Sequence, residues 1–388
     1  MHVGLFIDGY YPVIDGVVKI TDAYASRLVD KCDVTVFTPK AYGAGPGYDD
    51  RFPYEVVRCK SIMREGDDYP QGFPMFDAAF KKKARDLDII HIHSAYPVGL
   101  CAKALSRRYN IPMVGTIHSD FRPDVIRYVG KTIGERLIKL MMSAYNACDE
   151  CWTVNDVVGR TFCRDYGLTA PYRVMPYSTD HLPVEDAVSA RQQVNEAYNI
   201  GDNEFVLAHV GRQDLQKRED FILRSLADLK KTVSDFRMLF VGDGNKQDYL
   251  KKLTFDLDLE DNVIFCGILS DKQQIMNLYS RTDLLLFPSV SDTYGLVKIE
   301  AACQKTPTLF CEGTMASDGT EDEVNGFLAP NEETAFAARI LSLYNNPGLV
   351  RKVGEVAFRD LYRTWDNHVD DVYENYLRII ENHNFVKR

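Results

Sequence analysis

The sequence predicts an α/β protein built on two doubly wound parallel sheets. Three observations carry this. Short runs of Val, Ile, Leu and Phe alternate with longer segments of helical spacing. The alternation stops at a polar, helix-prone stretch, 184–204, and then restarts. The chain has 388 residues, and a domain takes roughly 100–200, so there is length for two.

In the first half the apolar runs are 2–7, 33–37, 54–57, 88–93, 112–118, 151–154 and 172–175. In the second they are 205–210, 237–241, 262–266, 284–288, 306–310 and 327–329. They are continuous rather than alternating, which is the pattern of strands buried on both faces. Between them lie amphipathic segments, such as the one carrying Ile20, Ala23, Tyr24 and Leu28. Strand and helix in turn imply parallel strands with crossover helices. The expected organisation is a Rossmann-like domain over 1–182, with 179–182 as linker, and a second over 183–360. A terminal helix, 361–388, has no strand of its own. Trp365 is its apolar anchor, and the helix is expected to pack back on the first domain. Ligands of open α/β sheets bind beyond the carboxyl ends of the strands. Two such domains are therefore expected to face each other across a cleft that holds the site.

Composition narrows the class. Hydrophobic residues make up 45% and charged residues 26%, as in ordinary globular chains. No apolar run reaches the roughly 18 residues of a membrane span. The first residues read as a strand, without a charged leader, which places the protein in the cytoplasm. The net charge of −10 argues against a nucleic-acid partner. Residues 1–180 carry 23 basic and 22 acidic side chains, and 181–388 carry 23 and 34, so two bodies with different surfaces are expected. Nine scattered cysteines fit a reducing compartment. Cys148 and Cys151 form a lone C-x-x-C, for which burial is the simpler reading. No metal-ligand spacing emerges, and no cofactor is expected.

Strand ends carry the candidate chemistry. After the first strand, Gly9 to Val17 includes Gly16, a turn residue or a place where backbone N–H groups meet phosphate. The dinucleotide fingerprint is absent: Gly43-Ala44-Gly45-Pro46-Gly47 follows the wrong strand. His118 ends a middle strand, where it can contact a polar ligand or carry a proton. His91 and His93 alternate on another. In the second half, Gly211-Arg212 with Lys217 puts cations after a strand, suited to a diphosphate or simply solvated. The turn 241–245, with Gly242 and Gly244, signals little beyond a turn. Gly267 and Ile268 end the next strand, where a base could lie flat on the backbone. The strongest feature runs from Phe287 to Ala302. It holds a strand end, a loop with Gly295 and a helix start, flanked by the carboxylates Asp292 and Glu300. N–H groups for phosphate and carboxylates for hydroxyls together meet the needs of a nucleotide sugar.

This stretch resembles the GT-B glycosyltransferases of the large retaining family 4. Pro288, Ser289, Tyr294, Gly295, Leu296, Glu300 and Ala301 match the family's Glu-x7-Glu pattern. Tyr10-Tyr11-Pro12 with Gly16, His118, Gly211-Arg212 with Lys217, and 324–328 (VNGFL) match further motifs in order. Three departures stand out. Asp292 replaces the usual Glu, Pro176-Tyr177-Ser178-Thr179-Asp180 replaces P-N-G-I/V-D, and Gln304-Lys305-Thr306-Pro307 replaces a small-Gly step.

The resemblance implies metal-independent hexose transfer with retention from a nucleotide sugar, a UDP-sugar such as UDP-glucose first and GDP-mannose second. Arg212 and Lys217 would take the diphosphate. Gly16, Gly211 and the backbone of Tyr294, Gly295, Leu296 and Val297 would contact the donor, with Gly267 and Ile268 at the base. Glu300 would hold the ribose, Asp292 the transferred sugar, and His118 a sugar hydroxyl. The acceptor implied is a lipid or glycan. The basic cluster 80–85 and the amphipathic segment 131–147, with Lys131, Arg136 and Lys139 beside Ile138, Met141 and Met142, could serve an anionic membrane surface or be ordinary solvated faces. That would place the enzyme peripherally on the inner face of the cell membrane. Two alternatives stay open: a GT-B phosphorylase or epimerase, and a non-catalytic nucleotide-sugar-binding protein.

Overall fold

The computed structural model describes all residues except 65, 66, 68, 215, 387 and 388. The chain divides into two compact units. One is Met1–Pro176 with Trp365–Arg388, the other Tyr177–Thr364.

The first unit holds a seven-stranded sheet, interrupted in sequence by a small hairpin. Its strands are β1 (His2–Phe6), β2 (Asp33–Pro39), β3 (Glu55–Cys59), β6 (Ile89–Ile92), β7 (Met113–Ile117), β8 (Glu150–Thr153) and β9 (Tyr172–Val174). The hairpin pairs β4 (Ser61–Ile62) with β5 (Gln71–Gly72). The order is β3-β2-β1-β6-β7-β8-β9, parallel throughout. The second unit has β10 (Phe205–Val210), β11 (Phe236–Val241), β12 (Val263–Gly267), β13 (Leu284–Phe287), β14 (Thr308–Cys311) and β15 (Phe327–Ala329), again parallel, in the order β12-β11-β10-β13-β14-β15. Every expected apolar run overlaps a strand. The hairpin was not expected, because two-residue strands leave no periodicity to read.

Why the runs are continuous is visible in the second unit. Leu207, Met238, Phe240, Leu284 and Leu286 enter one hydrophobic cluster. Their neighbours Val206, Ala208, Leu239, Val241 and Leu285 enter another. Successive side chains on a strand point to opposite faces, so a sheet covered on both sides needs apolar residues at every position. Each such burial contributes on the order of 1.5–3 kcal/mol for a Leu or Phe.

The chain order reverses between β1 and β6 in the first sheet and between β10 and β13 in the second. At such a switch point the two outgoing loops diverge and leave a crevice beyond the strand ends. The loops after β10 and β13 are those of Arg212–Lys217 and Asp292–Glu300.

The end of the chain departs from expectation in one detail. Helix does not run through from Leu361. One helix, Pro347–Leu361, stops and another, Trp365–Val386, begins. Between them Arg363 O accepts from Thr179 N (3.0 Å), and Thr364 bridges Thr179 as an extended pair. That extended pairing is incompatible with helical backbone and sets the break. The last helix packs on the first sheet's own elements. Tyr376 stacks on Trp152 with centroids 5.5 Å apart, and Arg378 reaches Glu150 at 2.7 and 2.9 Å. Cys148 and Cys151 are buried free thiols, with sulfur atoms 3.5 and 3.4 Å from the carbonyl oxygens of Ala144 and Tyr145.

Candidate functional site

In the second unit three strand-end turns lie side by side. Gly211 N donates to Val241 O (3.0 Å), Gln213 N to Asp243 O (3.0 Å) and Gly242 N to Gly267 O (2.8 Å). Gly242 has φ 124°, and a Cβ there would sit 1.9 Å from Gly211 O. Gly244 is held equally close, 2.2 Å from Gln213 O. The G-x-G that reads as a bare turn is therefore a contact requirement: the loop after β10 rests on backbone that no side chain may occupy.

The loop 211–218 carries the cations. Lys217 Nζ lies 2.7 Å from Asp292 Oδ1 and 2.9 Å from Oδ2, with both side chains about a quarter exposed. Arg212 behaves differently. Its Nε donates to Asp214 Oδ2 (2.8 Å), and its side chain is 72% exposed. The structure thus joins Lys217 with Asp292, 75 residues apart, and leaves Arg212 at the surface on a local carboxylate. Arg218, unremarked in the sequence, ties the two loops together. It adopts a left-handed conformation (φ 62°), donates from Nη1 to Pro288 O (3.1 Å) and Asn331 Oδ1 (2.6 Å), and covers the Phe221 ring.

The loop after β13 is shaped by Ser289, fully buried, whose Oγ accepts from Asp292 N at 3.3 Å. Gly295 has φ 77°, and a Cβ there would fall 2.7 Å from the Phe287 ring. The backbone bonds Lys298 N to Gly295 O (3.1 Å) and Ile299 N to Leu296 O (3.0 Å) open the helix Val297–Cys303. The N–H groups of Leu296 and Val297 precede that ladder, where helix donors lack intrahelical partners. Glu300 sits in the first turn, half-buried. It accepts from Tyr279 OH (3.2 Å), with His181 Nε2 3.8 Å away. Tyr294 turns its side chain inward, against Tyr177 and over the Lys298 ammonium at 3.9 Å, so only its backbone remains for a ligand. Gly267 has φ 69° and Ile268 is exposed at the end of β12.

Several buried ionisable groups support these loops and were not legible in the sequence. Lys298 is buried and donates to Ala316 O (3.0 Å), and burial pulls its pKa down to about 7. Beneath the loop 211–218, His209 Nδ1 meets Leu286 O (2.9 Å), and its Nε2 lies 3.8 Å from Glu219. Desolvation pushes Glu219 up to about 7 and His209 down to about 4, so near neutrality the histidine is uncharged and the carboxyl is about half protonated. Their signal is a charged residue on an otherwise apolar strand or helix face, which sequence alone does not separate from a solvated one.

The first unit holds the other two candidates. Gly16 opens the helix Gly16–Leu28, capped by Asp15 Oδ1 on Val18 N (2.7 Å), with open space where a Cβ would point. Around it Tyr69 OH donates to Asp15 Oδ2 (2.6 Å), and Arg58 Nη2 donates to Tyr11 O (2.7 Å). His118 follows β7, is 8% exposed, and meets His93 Nδ1 through Nε2 at 3.0 Å. Burial lowers its pKa to about 3, so the ring is neutral at physiological pH. A hydroxyl or phosphate ligand would find hydrogen-bond donors at both candidates, and cations and carboxylates in the second unit.

Both halves of the chain match known proteins. Residues 14–181 match the profile of Glycosyltransferase Family 4, and residues 190–360 that of Glycosyl transferases group 1. The alpha-monoglucosyldiacylglycerol synthase of Streptococcus pneumoniae is 24% identical over 401 aligned positions, covering 100% of this chain and 88% of the relative. The GDP-mannose-dependent alpha-(1-6)-phosphatidylinositol monomannoside mannosyltransferase of Mycolicibacterium smegmatis is 23% identical, with 79% of each chain covered. For the fold, Anabaena HepE in complex with UDP superposes with a TM-score of 0.78 at 18% identity, covering 97% of this chain and 99% of that one. With both halves of its length matched, the chain belongs to the glycosyltransferases of family 4, group 1, and carries their GT-B fold.

Proposed function

We propose that the protein transfers a hexose from a nucleotide sugar to a lipid or glycan acceptor, with retention and without a metal. A UDP-sugar, UDP-glucose first, is favoured over GDP-mannose. The observation that carries this reading is the Lys217–Asp292 pair at the switch point of the second sheet, beside the Gly295 turn and the short helix whose first turn holds Glu300. In this reading the anomeric carbon parts from the diphosphate oxygen and bonds to the acceptor oxygen, whose proton offsets the departing negative charge. Lys217 and Arg212 neutralise that charge, and fixed charge aimed at a leaving group is often the largest catalytic term. Arg212 must leave Asp214 to do so, and its exposure permits this. Backbone N–H groups of Gly16 and of Gly295 to Val297 hold phosphate, with Gly211 beside them. Gly267 and Ile268 flank the base, Glu300 the ribose hydroxyls and Asp292 the sugar. His118 donates to a sugar hydroxyl.

The names of the two relatives support a lipid acceptor, as does an exposed face of the first unit. On the helix Lys131–Tyr145, Ile138, Met141 and Met142 turn to the core, while Ile133, Leu137 and Leu140 are exposed beside Lys131, Arg136 and Lys139. A cytoplasmic enzyme resting on an anionic leaflet fits that face. Among the described residues no helix is long and apolar enough to cross a membrane.

The test is a screen of UDP-glucose, UDP-galactose, UDP-GlcNAc and GDP-mannose against lipid and glycan acceptors, read by free nucleotide. Acceptor-dependent release from a UDP-sugar is expected. Binding without release would favour a non-catalytic protein, and sugar phosphate formed from glycoside and phosphate would favour a phosphorylase.

A further inference from the structure

Three histidines line up inside the first unit. His91 and His93 lie on and just after β6, and His118 just after β7. The His91 and His93 rings sit 4.1 Å apart, and His93 Nδ1 meets His118 Nε2 at 3.0 Å. His91 is anchored on both nitrogens, by Tyr376 OH (2.6 Å) and Thr116 Oγ1 (2.7 Å). His93 is not. Its Nε2 is buried and has no hydrogen-bond partner among the described residues.

Burial keeps both His93 and His118 neutral, so one proton lies between them and two arrangements exist. If His118 Nε2 carried it, the His93 proton would sit on Nε2 as a buried donor with nothing to bond. If His93 Nδ1 carries it, Nε2 keeps only a bare lone pair. Orphaned buried N–H groups are rarer than under-satisfied acceptors, and each costs the desolvation of a strong dipole.

We infer that His93 is a positioning residue that donates from Nδ1 to His118 Nε2 and thereby holds His118 in its Nδ1–H tautomer. The lone pair of His118 Nε2 is then engaged, and the ring's own proton sits on Nδ1. His118 acts as a neutral donor to a hydroxyl and not as a base. The functional half of this rests on the proposed role of His118 in transfer; the tautomer does not.

Nitrogen-15 NMR of the full chain with labelled histidine, His118 being assigned by the signals lost in His118→Gln, should show Nδ1 protonated and Nε2 bare. A proton on Nε2 overturns the inference. In His93→Phe, where the donor is gone, His118 should shift toward the other tautomer. Turnover, read as acceptor-dependent nucleotide release, should fall about tenfold with donor KM within about twofold, the scale of one misdirected hydrogen bond. His93→Asn, whose amide N–H stands near the place of Nδ1–H, should restore most of it. Full turnover in His93→Phe would overturn the positioning role. If His118→Gln itself turns over normally, the reading of His118 fails, while the tautomer measurement stands. Should His93→Phe not fold, the wild-type spectrum decides alone.

Discussion

Asp292 is tied to one partner. Held at 2.7 and 2.9 Å by Lys217, its carboxylate is fixed by the same cation that is proposed to meet the diphosphate. The two side chains then form one unit, and their removal should not be additive. Lys217→Ala is expected to lower kcat/KM at least about 100-fold, as loss of a preorganised charge does. Asp292→Asn should lower it less, and the double variant should fall short of the summed losses by roughly 1–3 kcal/mol of coupling. A cycle measured by nucleotide release checks this, and additive losses would count against the shared role. At this scale the family resemblance singled out Lys217, Asp292 and Glu300, and the structure brings the first two together. The sequence could not expose Arg218, His181 or Tyr279, whose part follows from contacts across 21 to 119 residues of chain. Tyr294 has the opposite lesson. Its motif position is legible, but its ring faces inward over Lys298.

Among the elements, the terminal helix Trp365–Val386 stands out because the first unit is incomplete without it. Tyr376 is fully buried, stacks on Trp152 and bonds His91, while His368 Nε2 meets Tyr24 OH at 2.8 Å. Tyr376→Ala should therefore cost about 3–5 kcal/mol of stability, the range for losing a large buried side chain. Urea unfolding followed by the fluorescence of Trp152 and Trp365 would measure it, and a loss below about 1 kcal/mol would mean the helix is peripheral. The amphipathic pattern and Trp365 mark this element in the sequence. Its start at 365 rather than 361 is not marked, because the break comes from the pairing of Thr179 with 363–364, a partner nearly half the chain away. The strands of the two large sheets were legible, since double-sided burial forces unbroken apolar runs, while the short hairpin strands were not. The tight loop contacts at Gly242 and Gly244 were not, because a glycine that admits neighbouring backbone looks the same as one that merely turns.

For the whole molecule, the uneven charge has a consequence. The first unit, with 26 basic and 26 acidic side chains, is neutral overall, while the second, with 20 and 30, carries −10, so repulsion from an anionic leaflet is concentrated in the second unit. The exposed Ile133, Leu137 and Leu140 with Lys131, Arg136 and Lys139 give the first unit an apolar and basic face. Co-sedimentation with vesicles containing anionic lipid is expected, weakening with salt and lost on zwitterionic vesicles. Lys131→Glu, Arg136→Glu and Lys139→Glu together should abolish it, and failure of the wild type to sediment would remove the membrane surface as a partner. The sequence by itself determined the two doubly wound sheets, because periodicity along one chain encodes burial and strand ends. The tertiary structure alone decided which charges meet, where Lys217 and Asp292 pair, and that His118 shares a proton with His93. Those depend on strand order, and strand order is set by which apolar faces pack together, a choice that no local stretch of sequence records.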